Sequence, residues 1–298
     1  MSSREPGSRG AGGPGLSRRG FLARTAGAVP LAAWLPSLTP WRTAAHSARL
    51  NRIGIQLYTV RREFARDPEA TLARVAQLGY REVEFAGYPP GPPSAVRAML
   101  DRHGLSAPSS HVALQSLLTD AERTLEQAAV IGQRYIVVAS IAPTERSTLE
   151  GWKRITAVFN RVGEAARHHN LRFCYHNHEF EFAPLEGAVP YDLLLSSTDP
   201  RFVELELDLY WITRGGKDPL DYFARWPGRF PLVHVKDMDA TPRKFFTEVG
   251  KGTIDFRRIF HRAKQAGIQH YFYEQDETPG DVFASAKVSY DYLRSLTF

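Results

Sequence analysis

Cysteine is almost absent from this chain of 298 residues, and its apolar runs are short. The single cysteine, Cys174, excludes an intrachain disulfide, so the stability of the fold must come from an ordinary apolar core. The alanine-rich run 26–35 is shorter than the roughly 20 residues that a membrane-spanning helix needs, and Pro30 and Pro36 interrupt it. No glycine-rich phosphate fingerprint follows the first predicted strand, which argues against an open dinucleotide-binding sheet.

A strong charge of one sign is also lacking once the amino-terminal residues are set apart. The formal net charge is +6, from 38 basic and 32 acidic side chains. Residues 1–45 hold six arginines and one acidic residue, Glu5, which leaves 32 basic and 31 acidic residues in the rest of the chain. This balance does not predict a polyanion-binding surface, so we expect no nucleic-acid partner.

The first 45 residues differ in composition from the rest of the chain. Met1–Gly15 is crowded with glycine, serine, proline and arginine, a composition that cannot bury enough apolar surface to become ordered. Paired arginines, Arg18 and Arg19, precede the short apolar run, a pattern typical of a twin-arginine export signal. We predict a disordered signal peptide over 1–45, a catalytic domain over 46–298, and a periplasmic or extracellular location without stable membrane insertion after export. Cleavage near Ala45 and retention as a tether both stay open.

Eight short apolar runs alternate with helical patterns over the rest of the chain. The predicted strands are Arg52–Val60, Tyr80–Ala86, Leu105–Val112, Arg134–Ser140, Leu171–His178, Phe202–Trp211, Pro231–Asp237 and His270–Asp276. The predicted helices are Pro68–Leu78, Ser94–Arg102, Leu114–Ile131, Leu149–His169, Tyr191–Ser197, Pro219–Trp226, Phe256–Ala266 and Ala284–Leu296. Strands that alternate with helices in a domain of this length predict a single parallel (β/α)8 TIM barrel.

Imidazole and carboxyl groups stand at the ends of four predicted strands. The side chains concerned are His176 and His178 in YHNHEFEF, Asp208 in ELDLYW, His234 in HVKD, and Glu274 in YEQD. Side chains alternate along a strand, so we expect His176 and His178 to share one face and Glu181 to lie on the other. Because a barrel places its chemistry at the carboxyl ends of its strands, we expect one shared polar centre.

The carboxylates of the sixth predicted strand require compensation if they face inward. Asp208 has the same parity as Glu204 and Glu206, and an uncompensated buried charge costs on the order of several kcal/mol. Arginine partners, a bound cation, or a solvated start of the strand for Glu204 and Glu206 would each resolve this. We predict a divalent metal ion, Mn, Co, Zn or Mg, held by Asp208 and its neighbours. Such an ion polarises a carbonyl and acidifies the adjacent carbon, as isomerases, epimerases and lyases require.

Six stretches in a fixed order, GIQLYTVR, YHNHEFEF, ELDLYW, HVKD, EVGKGTIDF and YEQD, resemble the sugar phosphate isomerase/epimerase family with xylose-isomerase-like barrels. The resemblance runs from Asn51 nearly to the C-terminus, and it implies that Asp208, His234 and Glu274 bind the metal. The glutamate that the family carries on its fifth strand, both a ligand and one of an acid–base pair, aligns with His176. The fourth ligand is therefore either His176 or Glu181.

The resemblance also leaves the catalytic base open. His178, Lys236 and Glu181 are candidates beside Glu274, and a nearby cation would favour the unprotonated form of each of the three. We predict that His111 and Trp211 bind the substrate, which we expect to be an unphosphorylated sugar, cyclitol or keto-sugar. The loop Glu248–Gly252 is interpreted as shaping the pocket.

The predicted function is a metal-dependent sugar isomerase or epimerase that removes a proton next to a carbonyl. Two alternatives stay open: a lyase or dehydratase that eliminates a β-substituent from a 3-keto-glycoside or similar compound, and a non-catalytic sugar-binding barrel. Assembly into a homo-oligomer is also left open.

Overall fold

Eight parallel strands close into a barrel in the computed structural model, which describes residues 48–298. The predicted export signal over 1–45 lies outside the described residues. The barrel strands are β1 (Gly54–Gln56), β2 (Glu82–Phe85), β3 (Ser106–His111), β4 (Tyr135–Val138), β5 (Arg172–His176), β6 (Val203–Asp208), β7 (Leu232–Val235) and β10 (His270–Tyr273). Each strand pairs with the next in chain order, and β10 pairs with β1 to close the barrel. The predicted TIM barrel is confirmed.

Helices follow the strands and surround the barrel. They are α1 (Arg61–Arg66), α2 (Pro68–Leu78), α3 (Pro93–Arg102), α4 (Leu114–Thr119), α5 (Ala121–Ile131), α6 (Leu149–His168), α7 (Pro190–Ser197), α8 (Leu209–Arg214), α9 (Pro219–Arg225), α10 (Phe256–Phe260), α11 (Ala263–Ala266) and α12 (Val282–Ser295), with 3-10 helices over Leu57–Val60 and Phe180–Phe182. Among the described residues, no helix has both the length and the apolar character needed to cross a bilayer.

The predicted strands extend too far at their carboxyl ends, and polar side chains are the reason. The Asp208 carboxylate accepts the backbone N–H groups of Tyr210 and Trp211, so α8 begins where the sixth strand was expected to continue. The Gln56 side chain accepts the N–H of Tyr58 in the same way and starts a 3-10 helix. The side chains of Gln56 and Asp208 are therefore held in place by hydrogen bonds to the first turn of the helix that follows each strand.

A two-stranded antiparallel hairpin follows β7 and was not predicted from the sequence. It consists of β8 (Asp237–Met238) and β9 (Phe246–Thr247). The carboxylate of Asp237 accepts N–H groups from Met238, Gly250, Gly252 and Ile254 at 2.8–3.1 Å. Asp237 thus organises the predicted pocket loop Glu248–Gly252 rather than facing the centre of the barrel.

The barrel interior has an apolar layer with charged layers beside it. Tyr135, Val137, Cys174, Leu232 and Phe272 form the apolar layer. Gly54 allows the Phe272 ring to lie inside, because a Cβ at this glycine would come within 2.4 Å of Phe272 Cδ1.

Towards the amino ends of the strands, Glu204 pairs with Arg172 and Glu82 pairs with His270. Glu204 is therefore buried against an arginine, and the expectation of a solvated strand start is wrong for it.

Candidate metal centre

Asp208, His234 and Glu274 come together at the carboxyl ends of β6, β7 and β10. His234 Nδ1 lies 2.7 Å from Glu274 Oε2 and 3.9 Å from Asp208 Oδ2. One ligand atom from each of the three lies within 4.8 Å of the others, and all three side chains are buried. Metal bonds of about 2.0–2.2 Å place the ligands of one ion at separations of this order. The structure thus places Asp208, His234 and Glu274 close together, as was expected from the sequence.

Asp208 divides its two oxygens between the backbone and the centre. Oδ1 accepts the N–H groups of Tyr210 and Trp211, both at 2.9 Å. Oδ2 forms an ion pair with Lys236 and has no other close polar partner in the described part of the chain. Burial raises the pKa of Asp208 to about 6, against the lowering effect of Lys236 and His234. The orientation of Oδ2 towards the centre and the mixed set of oxygen and imidazole donors fit a divalent metal ion.

Lys236 extends its ammonium group into a ring of carboxylates. Nζ lies 3.0 Å from Asp208 Oδ2, 2.7 Å from Glu274 Oε2 and 2.8 Å from Asp276 Oδ1. Burial opposes the charged form, but the three carboxylates outweigh it and hold the pKa of Lys236 well above its usual value. Lys236 is therefore an ammonium group in this structure, suited to donate a proton or a hydrogen bond.

His176 ends β5 beside this centre. Nε2 lies 3.8 Å from Asp208 Oδ2, and Nδ1 lies 3.1 Å from Glu206 Oε2. Burial, followed by the neighbouring histidines and Lys236, holds the pKa of His176 well below its usual value, so the ring is neutral as a metal ligand must be. His176 is thus close to the three candidate ligands, although its nearest contact is with Glu206.

Glu84 on β2 and Glu206 on β6 lie next to these histidines and were not predicted to belong to the site. Glu84 Oε2 is 2.6 Å from His234 Nε2, and Glu206 Oε2 is 3.2 Å from the same nitrogen. Both carboxylates are fully buried, so the alternative of a solvated strand start is wrong for Glu206 too. The alternation of Glu82 and Glu84 in YREVEFA was the available signal for an inward-facing carboxylate on the second strand.

His111, predicted to bind substrate, contacts the same two carboxylates. Its Nε2 lies 2.8 Å from Glu206 Oε2 and 3.4 Å from Glu84 Oε2. Burial disfavours the charged ring, but Glu84 and Glu206 outweigh it and raise the pKa of His111 to about 9. The side chain is 15% exposed, and its substrate-binding role stays a prediction.

His178 lies beyond the end of β5, so the expectation that it shares a strand face with His176 is wrong. Its ring stacks on Phe180 at 5.7 Å and lies 5.6 Å from the Trp211 ring. Burial, with the charge of Lys236, lowers the pKa of His178 to about 4, and the buried Nδ1 has no hydrogen-bond partner in the region described. This arrangement provides a neutral imidazole at the carboxyl end of the barrel.

Glu181 is turned away from the three candidate ligands. Its Oε1 accepts the Tyr175 hydroxyl at 2.5 Å, and its Oε2 accepts the His178 N–H at 2.9 Å. Burial raises the pKa of Glu181 to about 7, although these hydrogen bonds lower it. The structure thus does not bring Glu181 to the centre as a fourth ligand; instead it supports the segment that carries His178.

Trp211 and Asp276 border the centre on the solvent side. The Trp211 ring lies 5.6 Å from Lys236 Nζ and packs against Phe246 of the hairpin. Asp276 also lines a cavity of about 580 Å³, together with Thr59 and Arg61. Asp276 is the only one of the three carboxylates around Lys236 that lines this cavity, and Lys236, Asp208 and Glu274 do not line it.

Comparison with known proteins identifies the family. The sequence profile of the Xylose isomerase-like TIM barrel family matches residues 72–295, about three quarters of the chain. The chain belongs to this family. The fold and the family expected from the six sequence stretches are therefore confirmed.

The curated relatives and solved structures similar to this xylose isomerase-like barrel include enzymes. Inosose dehydratases from Geobacillus kaustophilus and Lacticaseibacillus casei are each 24% identical to it, over 76% of this chain and 87–88% of their own lengths. The crystal structure of a sugar phosphate isomerase/epimerase from Parabacteroides distasonis is 26% identical, with a TM-score of 0.73, over 86% of this chain and 98% of that one. Both reaction classes considered from the sequence are represented among these proteins.

Proposed function

We propose that this xylose isomerase-like barrel is a metal-dependent lyase of the dehydratase type. Its substrate would be a polyhydroxylated ring ketone, an unphosphorylated keto-sugar or keto-cyclitol derivative. The reaction removes the proton next to the carbonyl and expels the oxygen substituent on the following carbon. The observation that carries the proposal is the convergence of buried Asp208, His234 and Glu274 beside the Lys236 ammonium group. The similarity to two inosose dehydratases over most of their length supports the reaction class.

Asp208, His234 and Glu274 would hold the metal, with His176 as the nearest further donor. Asp208 Oδ2, which accepts no backbone hydrogen bond from residues 48–298 and faces His176 and His234, and the neutral state of His176 fit this role. When bound, a divalent ion supplies Lewis-acid polarisation of the substrate carbonyl and so acidifies the neighbouring C–H bond. Manganese, cobalt, zinc and magnesium are the candidates, and the mixture of oxygen and nitrogen donors suits the first three best.

Two residues of this chain would move the protons. His178 has an unpartnered Nδ1 that can accept the proton from the carbon. The Lys236 ammonium group can donate a proton to the departing oxygen. The C–H electron pair forms the new C=C bond as the C–O bond breaks. The products are an enone and an alcohol or water, so no oxidant or reductant is needed. Transfer of a proton from His178 to Lys236 through solvent restores both groups.

The donor set favours elimination over epimerisation. An epimerase must return a proton to the opposite face of the same carbon, and related barrels are expected to use two glutamates for this purpose. Here the fifth strand carries His176, whose Nδ1 faces Glu206, and Glu274 is the one glutamate among the three candidate ligands Asp208, His234 and Glu274. Elimination returns the proton to the leaving oxygen instead, so one base and one donor are sufficient. The structure therefore favours elimination over epimerisation as the proposed reaction, whereas isomerisation or epimerisation was the first prediction from the sequence.

Incubation of the purified protein with p-nitrophenyl 3-keto-β-glucoside in deuterated water tests the proposal. The assay uses metal-free protein and protein loaded with each of the four ions. We expect metal-dependent release of p-nitrophenol and an enone absorbance, and both should be lost in Glu274→Gln. An inosose offered as a second substrate should lose water. Sugar binding without exchange of the substrate C–H proton would favour the non-catalytic barrel and refute the proposal.

Isomerisation or epimerisation is the second candidate. It begins with the same proton removal, and the structural similarity to a sugar phosphate isomerase/epimerase over 98% of that chain favours it. Formation of an epimer or an aldose–ketose pair without release of the leaving group would identify this reaction.

A further inference from the structure

Two buried carboxylates beside the metal centre have no role in the proposed reaction. Glu84 and Glu206 are 0% exposed and come from β2 and β6, nearly opposite each other in the strand order of the barrel. Each has one oxygen, Oε1, without a hydrogen-bond partner in the described region. A buried carboxylate is costly unless charged or polar groups surround it, so the contacts of the other oxygens are informative.

The other oxygens of these carboxylates are surrounded mainly by imidazoles. Glu206 Oε2 lies 3.1 Å from His176 Nδ1, 3.2 Å from His234 Nε2 and 2.8 Å from His111 Nε2. Glu84 Oε2 lies 2.6 Å from His234 Nε2, 3.4 Å from His111 Nε2, and accepts a hydrogen bond from Gln56 Nε2 at 2.8 Å. The two glutamates therefore contact three buried histidines, His111, His176 and His234.

His234 and His176 each have one nitrogen on these glutamates and the other on the candidate ligands. His234 directs Nδ1 to Glu274 and Asp208, while His176 directs Nε2 to Asp208. A neutral imidazole has one N–H donor and one lone pair. If the N–H points to a carboxylate, the lone pair of the opposite nitrogen is left for a metal, which is the usual arrangement around metal-bound histidines.

We propose that Glu84 and Glu206 are positioning residues for the metal centre. Glu84 fixes the ring of His234 so that Nδ1 faces the ion, and Glu206 fixes His176 so that Nε2 does the same. His176 then completes the ligand set with Asp208, His234 and Glu274, in the place of the glutamate expected on the fifth strand. The inference rests on the metal binding of the proposed function and is independent of the reaction catalysed.

Metal affinity of the full chain in the absence of substrate tests this inference. We expect Glu84→Gln and Glu206→Gln to weaken Co²⁺ and Mn²⁺ binding by about 10- to 100-fold, measured by competition with a chromophoric chelator. The visible spectrum of the Co²⁺ protein should change with the loss of imidazole orientation. Glu82→Gln and Glu204→Gln are matched controls from the same two strands, because their partners are His270 and Arg172. The controls should leave both the affinity and the spectrum unchanged.

A second measurement uses the unaltered protein, in case the variants do not fold. Long-range ¹H–¹⁵N spectra of the histidine rings report which nitrogen carries the proton. We expect Nε2–H for His234 and Nδ1–H for His176 in the metal-loaded protein. The opposite tautomers, or affinities within twofold of the unaltered protein in both folded glutamine variants, would overturn the inference. A chain that binds no divalent ion at all would overturn the metal dependence of the proposed function as well.

Discussion

Glu181 offers a direct test of whether a predicted catalytic group is instead a structural one. Its carboxylate is fully buried and accepts hydrogen bonds from the Tyr175 hydroxyl and the His178 N–H. Burial raises the pKa of Glu181 to about 7 from an ordinary value of 4.5. The folded protein therefore holds this proton over a pH range in which the unfolded chain has already released it.

The magnitude and sign of the effect follow from linkage. Because the folded-state pKa is the higher one, the contribution of Glu181 to stability is fully present below pH 4.5 and is lost as the pH rises through 7. This difference between the pKa values of the folded and unfolded states corresponds to about 3 kcal/mol of unfolding free energy in full. About 2.5 kcal/mol of it is lost between pH 5 and pH 8. Glu181→Gln removes the titrating group but keeps the shape of the side chain. The difference in unfolding free energy between the unaltered protein and the variant should therefore decrease by about 2.5 kcal/mol over this interval.

Urea denaturation of both proteins at pH 5, 6, 7 and 8 measures this difference. The amide of the variant loses one of the two hydrogen bonds at every pH, so this constant cost cancels in the comparison between pH values. Glu164→Gln, at an exposed position on α6, is the control and should show no such trend. A difference that stays constant with pH to within about 0.5 kcal/mol would show that Glu181 is ionised in the folded protein, against the reasoning from burial. In activity assays, the loss in kcat should be smaller than the 10²- to 10⁴-fold typical of removing a general base.

Three further predictions concern the centre itself. Asp208→Ala and His234→Ala should each abolish metal binding while the circular dichroism of the barrel is retained, and full metal content after dialysis in either variant would refute the ligand assignment. Free metal at 1,000 times its Kd should raise the unfolding free energy by about 4 kcal/mol, and a chelator should reverse this; a melting temperature unaffected by either contradicts metal binding to the folded state. Lys236→Met should lower kcat by about 10²- to 10⁴-fold with the metal content unchanged, and unaltered kcat would exclude Lys236 as the proton donor.

The barrel and three of its polar side chains were predictable because both depend on local patterns. Alternating apolar runs identify strands, and the register of β6, β7 and β10 places Asp208, His234 and Glu274 at one end without further information. The ends of the strands were not predictable in the same way. Whether Asp208 continues a strand or caps a helix depends on two backbone N–H groups that follow it, and the sequence contains no strong stop signal between Leu209 and Trp211.

The contacts of Glu84 and Glu206 could not be predicted, because they join distant parts of the chain. His234 and Glu84 are 150 residues apart in the sequence, and only the closure of the barrel brings them together. The contacts of Glu181 with Tyr175 and His178 are local, and they were missed for a different reason: a strand extended through His178 would have placed the Glu181 carboxylate differently from the observed 3-10 turn. Ligand types at strand ends are thus predictable from the sequence, whereas partners that depend on barrel closure or on a turn are not.

The charges gathered in the described barrel argue for a bound cation independently of the family. The carboxylates beside the centre are Glu84, Glu206, Asp208, Glu274 and Asp276, and all but the last are almost fully buried. Lys236 supplies one positive charge, and His176 is neutral because its pKa is held low by burial. Even if His111 and His234 are both charged, two of the five negative charges have no counterpart among these groups. Since uncompensated buried charges are costly, a single divalent ion bound at Asp208, His234 and Glu274, as proposed, would compensate these two charges.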